Sequence, residues 1–180
     1  MKNYFVIHAL GNTENDHWYQ FIKNHVELKG YACYVPTLPP VEEMSYESWA
    51  KCFDKYKQYI NEESIFVGHS TGSIFIVKYL MENNIKIDKY ISVVGFNKEN
   101  TGAPHPVWEE INKTFFVKDL EKFKNFAKER ISFYSPTDVY DFKLLDEFAT
   151  TINANKHIIE KAGHFTKGYE NKFEEILKYL

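Results

Sequence analysis

Only two of the 180 residues are cysteines, Cys33 and Cys52. A disulfide-stapled scaffold needs more, and these two lack metal-ligand spacing. Both are expected as buried free thiols, and a reducing cytoplasm is the compartment they suggest. No apolar run approaches the roughly 20 residues of a membrane-spanning helix, so no membrane partner is expected. The N-terminus carries one lysine and then a strand-like run, with no small-residue cleavage site after it, so no signal peptide is read there. Positive charge is not in excess either. Lys and Arg number 22 against 25 Asp and Glu, a net charge of −3, which excludes a general basic footprint for nucleic acid. The Lys/Glu alternation over residues 118–130 reads as a solvated face. A glycine-rich phosphate loop is missing as well. Ala9-Leu10-Gly11-Asn12, after the first strand-like run, is a poor one, which counts against a nucleotide binder. No repeat, low-complexity tract or linker interrupts the chain, so one domain over residues 1–180 is expected, with no metal and no other cofactor.

What is present is a globular composition, 44% hydrophobic and 26% charged, with thirteen Tyr and fifteen Phe that read as an aromatic-rich core. Strand-like runs fall at residues 4–8, 31–35, 65–67, 90–94, 131–134 and 157–159. Helical patterns lie between them, at residues 17–28, from Ser45 to about Ile60, after Gly72 to about Met81, and at 142–151. Shorter helices are read at 107–111 and around 120–126, and a closing helix at 170–180. Strands alternating with helices give parallel units with right-handed crossovers, hence a three-layer α/β/α sandwich of about six parallel strands. Such sheets bind ligands at the carboxyl ends of their strands. His8, Ser70, Asp138 and His164 each fall at or just past such an end.

The most informative stretch is Ser64-Ile65-Phe66-Val67-Gly68-His69-Ser70-Thr71-Gly72. A buried strand, a G-x-S-x-G turn and an apolar helix form the context of a nucleophile elbow. The two glycines let strand and helix approach closely, and the helix N-terminus favours developing negative charge beside Ser70. The plainer alternative is that Ser70 merely caps the helix. A serine hydroxyl is a weak nucleophile until a base takes its proton, and that base needs an acid to hold its tautomer. The order Ser, then acid, then His is met by Ser70, Asp138 and His164. Asp141 and Asp146 rival Asp138, although Asp141 also suits a helix N-cap. His157 rivals His164 from the wrong end of its strand, His17 and His25 look like helix-face positions, and His105 lies in a long loop that lines the site.

These stretches together resemble the small serine hydrolases of the α/β-hydrolase superfamily related to the retinoblastoma-binding serine hydrolase, many of them bacterial. The likeness covers essentially the whole length. It rests on Val6-Ile7-His8, Val35-Pro36 with Leu38-Pro39, Val67-Gly68-His69-Ser70-Thr71-Gly72, Val94-Gly95-Phe96, Ser135-Pro136-Thr137-Asp138 and Ala162-Gly163-His164-Phe165. The resemblance implies a compact α/β-hydrolase fold and a Ser70–Asp138–His164 triad acting through an acyl-enzyme. The chain departs from the family pattern in having Ala9 after His8, where glycine is usual, and Val139 after Asp138, where proline is frequent.

In such folds the oxyanion hole is built from the backbone N–H after the nucleophile and another in the first-strand loop, here Thr71 and Leu10. The expected substrate is a small-molecule ester. Its expected contacts are His8, Trp18, Phe96 and Trp108, with Trp18 as a wall facing residues 96–108. For His8, Phe96 and Trp108 the alternative is an ordinary core position. The chain is used up by its strands and helices, so no lid domain is expected. A second reading is a non-catalytic protein-binding module on a hydrolase scaffold; a protein partner is compatible with the sequence but not readable from it.

Overall fold

The strands of this chain carry runs rich in β-branched and aromatic residues, such as Tyr4-Phe5-Val6-Ile7 and Ile65-Phe66-Val67, which suits a sheet covered on both faces. The structure, a computed structural model, describes residues 1–99 and 106–180. Six strands form one sheet: β1 (Asn3–Ile7), β2 (Ala32–Tyr34), β3 (Ile65–His69), β4 (Ile87–Val93), β5 (Ala127–Tyr134) and β6 (Asn155–Ile158). Their order is β2-β1-β3-β4-β5-β6 and every pairing is parallel. The register sets Val6 opposite Val67, Val67 opposite Ile91 and Ile91 opposite Ile131.

The pleat splits the side chains into two cores. Tyr4, Val6, Ile65, Val67, Ile91 and Ile131 face one way. Against them pack α1 (Tyr19–Leu28), part of α5 (Phe142–Thr151) and the C-terminal segment through Phe173 and Ile176. Phe5, Ile7, Phe66 and Tyr90 face the other way, onto α2 (Tyr46–Phe53) and α3 (Thr71–Glu82). Three layers follow from this alternation. Side chains such as Trp49 and Phe75 are fully buried in the second core, each worth about 1.5–3 kcal/mol relative to exposure. α4 (Pro106–Lys113) and a 3₁₀ turn over Leu120–Asn125 lie between β4 and β5, with no inserted lid domain among the described residues. No helix among the described residues is long and apolar enough to cross a membrane.

Local chemistry sets several boundaries. Ser45 and Ser48 form a capping box at the start of α2, and the Asp141 carboxylate caps α5 by accepting the Lys143 N–H. The helix expected to run on to Ile60 changes at Phe53 into a 3₁₀ segment, Asp54–Tyr59, where Tyr56 and Tyr59 pack on Tyr34 of the edge strand. The closing helix is likewise only a 3₁₀ stretch, Glu174–Tyr179. Phe173 just before it is not helical, and Phe173 and Ile176, both fully buried, are spaced by the three-residue 3₁₀ repeat. β5 starts at Ala127, earlier than its apolar residues suggest. Lys128 and Glu129 stay exposed there while their main chain pairs with β4, a contact that needs no apolar side chain. Cys33 is buried, and burial pushes its thiol up to about 12. Cys52 differs from expectation: it lies half-exposed on α2 with Sγ 3.5 Å from the Thr37 carbonyl.

Candidate active site

β3 ends at His69 and α3 begins at Thr71, so Ser70 alone makes the turn between them. It does so at φ 53°, ψ −121°, a strained combination for a residue with a side chain. The surroundings hold it there. The Ser70 N–H donates to the Val93 carbonyl at 2.8 Å, and the Ser73 N–H donates to the Ser70 carbonyl at 2.9 Å. The glycines are dictated by contact. A Cβ on Gly68 would lie 2.6 Å from Ser73 Cα, and one on Gly72 would lie 2.4 Å from the Ile7 carbonyl oxygen. Either would drive α3 off the sheet. Ser70 occupies the N-cap position of α3, yet its side chain makes no capping hydrogen bond, which removes the plain helix-cap alternative.

β5 and β6 deliver the other two groups. The Asp138 side chain is fully buried and accepts the Tyr140 N–H at 2.8 Å. Its two oxygens lie 2.9 and 3.0 Å from His164 Nδ1. The Tyr140 ring stacks on the His164 imidazole, with centroids 5.5 Å apart and planes 19° apart. A carboxylate facing Nδ1 assigns the proton to that nitrogen and leaves the Nε2 lone pair bare. The rivals are engaged elsewhere. Asp141 caps α5, Asp146 pairs with Tyr134 and Lys156, and His157 bonds the Tyr179 hydroxyl at 2.6 Å.

Ser70 and His164 line one cleft of about 200 Å³ together with Leu10, Trp108, Val139 and Tyr140. Of the expected substrate contacts, Trp108 is on this wall and three others are not. Trp18 is fully buried beneath the histidine loop, where its Nε1–H donates to the Phe165 carbonyl at 3.1 Å. Its indole caps the core because α1 begins only at Tyr19 and turns it inward. Phe96 is also fully buried and stacks on Tyr140 at 4.7 Å, so it supports the cleft from behind. His8 is buried too. Its Nδ1 lies 2.8 Å from the Ala9 carbonyl, and its Nε2 accepts the Leu38 N–H at 3.4 Å, so it joins two loops behind the cleft. His105 lies outside the described residues. The N–H groups of Leu10 and Thr71 make no hydrogen bond among the described residues, and Leu10 borders the cleft.

Residues 4–180 match the family model described as serine hydrolase. The chain belongs to this family. The rat protein "Serine hydrolase RBBP9" (Rattus norvegicus) is 23% identical over 177 residues, covering 94% of this chain and 88% of its own. Among solved structures, the ydeN gene product from B. subtilis superposes with a TM-score of 0.88 at 22% identity, covering 99% of this chain and 96% of that one. Est1E from Butyrivibrio proteoclasticus, solved with ferulic acid bound, reaches a TM-score of 0.73 at 13% identity, covering 99% and 86%. These likenesses show the fold, which is that of the α/β hydrolases.

Several groups in or behind this serine hydrolase's cleft were not singled out by their sequence. His17 borders the cleft at φ 49°, although its position suggested a helix face; no sequence signal marks it. Tyr140 lies two residues after Asp138, close enough to have been suspected. His69 fills the variable position before Ser70 and points inward, with Nε2 2.8 Å from the His164 carbonyl. Burial holds its imidazole well below the ordinary value near 6.5, reinforced by the adjacent His164. His8 and His17 are lowered for the same first reason, burial.

A stability prediction follows from these three. The unfolded chain takes up protons on them near 6.5, whereas the folded chain resists. Stability is therefore full above about 6.5 and falls as the pH drops below it. Thermal unfolding followed from about pH 7.5 to about pH 5 should show a falling Tm, with a shallower fall in His69→Gln. An identical slope in that variant would remove His69 as a contributor.

Proposed function

We propose that this serine hydrolase is a carboxylesterase acting on small, uncharged esters through an acyl-enzyme. Asp138 orients His164, His164 Nε2 takes the Ser70 proton, and Ser70 Oγ attacks the ester carbonyl. The tetrahedral oxyanion is received by the N–H groups of Leu10 and Thr71, at the N-terminus of α3. His164 then gives its proton to the departing alcohol, and water repeats the sequence to release the acid. The observation that carries this reading is His164, paired through Nδ1 with the buried Asp138 carboxylate, bordering the same cleft as a serine held at positive φ with an uncapped side chain. No Lys, Arg, Asp or Glu is among the described residues that line the cleft, which favours neutral acyl groups. A fluorophosphonate probe tests the reading: labelling is expected on Ser70 and nowhere else, and an unlabelled Ser70 would refute it.

Substrate size follows from the cleft. About 200 Å³ accommodates a short acyl chain, and each further CH₂ left in water forfeits about 0.8 kcal/mol. On p-nitrophenyl esters kcat/KM is expected to peak at short acyl lengths. Trp108, 39% exposed at the cleft wall, supplies the apolar contact, so Trp108→Ala should flatten the preference. A maximum at long chains would contradict the shallow cleft, and an unchanged profile in the variant would remove Trp108 from it.

A further inference from the structure

Tyr19 and His69 touch no solvent and play no part in the chemistry just described, yet their polar atoms join the loops that carry it. Both are fully buried. The Tyr19 hydroxyl accepts the Ala9 N–H at 3.0 Å, lies 3.1 Å from the Asn12 side chain, and lies 2.7 Å from His69 Nδ1. At the other end of the imidazole, His69 Nε2 is 2.8 Å from the His164 carbonyl oxygen. A carbonyl only accepts, so Nε2 carries the hydrogen and Nδ1 is bare. The single Tyr19 hydroxyl hydrogen therefore goes to Nδ1. The hydroxyl oxygen is left to accept from the Ala9 N–H. The polar atoms of Tyr19 and His69 are then all satisfied with one arrangement of hydrogens.

We propose that Tyr19 and His69 act as positioning residues that hold the oxyanion loop and the base in register across Ser70. The inference rests on the esterase reading and deepens it. Ala9 immediately precedes Leu10, whose N–H is one proposed oxyanion donor, so fixing the Ala9 N–H fixes the peptide that carries the donor. The His164 carbonyl belongs to the residue that supplies the base. His69 adjoins the nucleophile in the chain. One link of two side chains thus ties the loop after β1 and the loop after β6 to the last residue of β3. It also explains how Ala9 is accepted where the family pattern has glycine: a hydrogen bond, not backbone freedom, sets the conformation of that loop.

The test measures p-nitrophenyl acetate turnover and inhibition by a short-chain trifluoromethyl ketone, a mimic of the tetrahedral adduct, in wild type, Tyr19→Phe, His69→Gln and the double variant. Tyr19→Phe removes only the hydroxyl. It should lower kcat about 10- to 100-fold with KM changed less than about twofold, since a small misplacement of reacting groups costs that much. Affinity for the ketone should fall in parallel with kcat/KM, because the donors act on the adduct. His69→Gln should lower kcat in the same direction, and the double variant should be no worse than the worse single one, as expected for residues that act as a unit. A merely structural role would lower Tm and leave kcat and the ketone affinity at 25 °C unchanged. If wild type turns over and Tyr19→Phe keeps its kcat, this inference is overturned and the esterase reading stands. If Tyr19→Phe does not fold, His69→Gln decides in the same way. A wild type without turnover overturns the esterase reading and this inference together.

Discussion

Ser70→Ala is expected to abolish ester turnover, with kcat falling on the order of 10⁶-fold, because a nucleophile that acts as part of a unit cannot be replaced by its partners. The fold should survive. The Ser70 side chain makes no hydrogen bond among the described residues, and alanine can occupy the same positive-φ position held by the Val93 and Ser73 backbone bonds. The measurement pairs initial rates on p-nitrophenyl acetate with circular dichroism on the same preparation. A folded variant that hydrolyses the ester at the wild-type rate would end the case for this site. Residual turnover at the level of oxyanion-hole catalysis alone is compatible with it.

Asp138→Asn is expected to lower kcat on the order of 10⁴-fold, the size of loss found when the orienting acid of such a triad becomes an amide. The local geometry gives the reason. In the variant, one of the two oxygens facing His164 Nδ1, at 2.9 and 3.0 Å, becomes an amide nitrogen that donates where the carboxylate accepted. The negative charge that keeps the hydrogen on Nδ1 is lost, and the tautomer with its hydrogen on Nε2 is no longer disfavoured. A base with its hydrogen on the nitrogen nearest the serine cannot accept another. Asp141→Asn is the matched control. Asn caps a helix about as well as Asp, so both activity and Tm should stay close to wild type. Reversed behaviour of the two variants would move the acid to Asp141.

The sequence was most legible where local chemistry and tertiary demand coincide. The β3–Ser70–α3 turn was readable because a close strand-to-helix approach permits only glycine at positions 68 and 72, where a Cβ would come within 2.6 and 2.4 Å of neighbouring backbone. The α5 boundaries were readable because Asp141 caps the helix from its own first turn. The C-terminal segment was not. Phe173, Ile176 and Leu177 fit either helix type, and burial against the first core chose the tighter one. The same limit applies to the aromatic residues around the cleft. Trp18, Phe96 and Trp108 look alike in sequence, each a large ring near a strand-end loop. Two turned inward and one outward, according to whether neighbouring layers offered a void to fill.

By itself, the sequence determined the alternation of strands and helices, the parallel sheet this forces, and the strand ends at which Ser70, Asp138 and His164 had to stand. Those features depend on periodicity and on short-range steric rules, which the chain carries at every position. Only the tertiary structure decided that Asp138 and not Asp141 meets His164, that His8 joins loops behind the cleft, and that Tyr19 reaches His69 fifty residues away. Hydrogen bonds between residues so distant in the chain depend on how three loops meet over a finished sheet. Spacing along the chain holds no record of that meeting, because the distance between two loop tips is set by the packing of the layers beneath them.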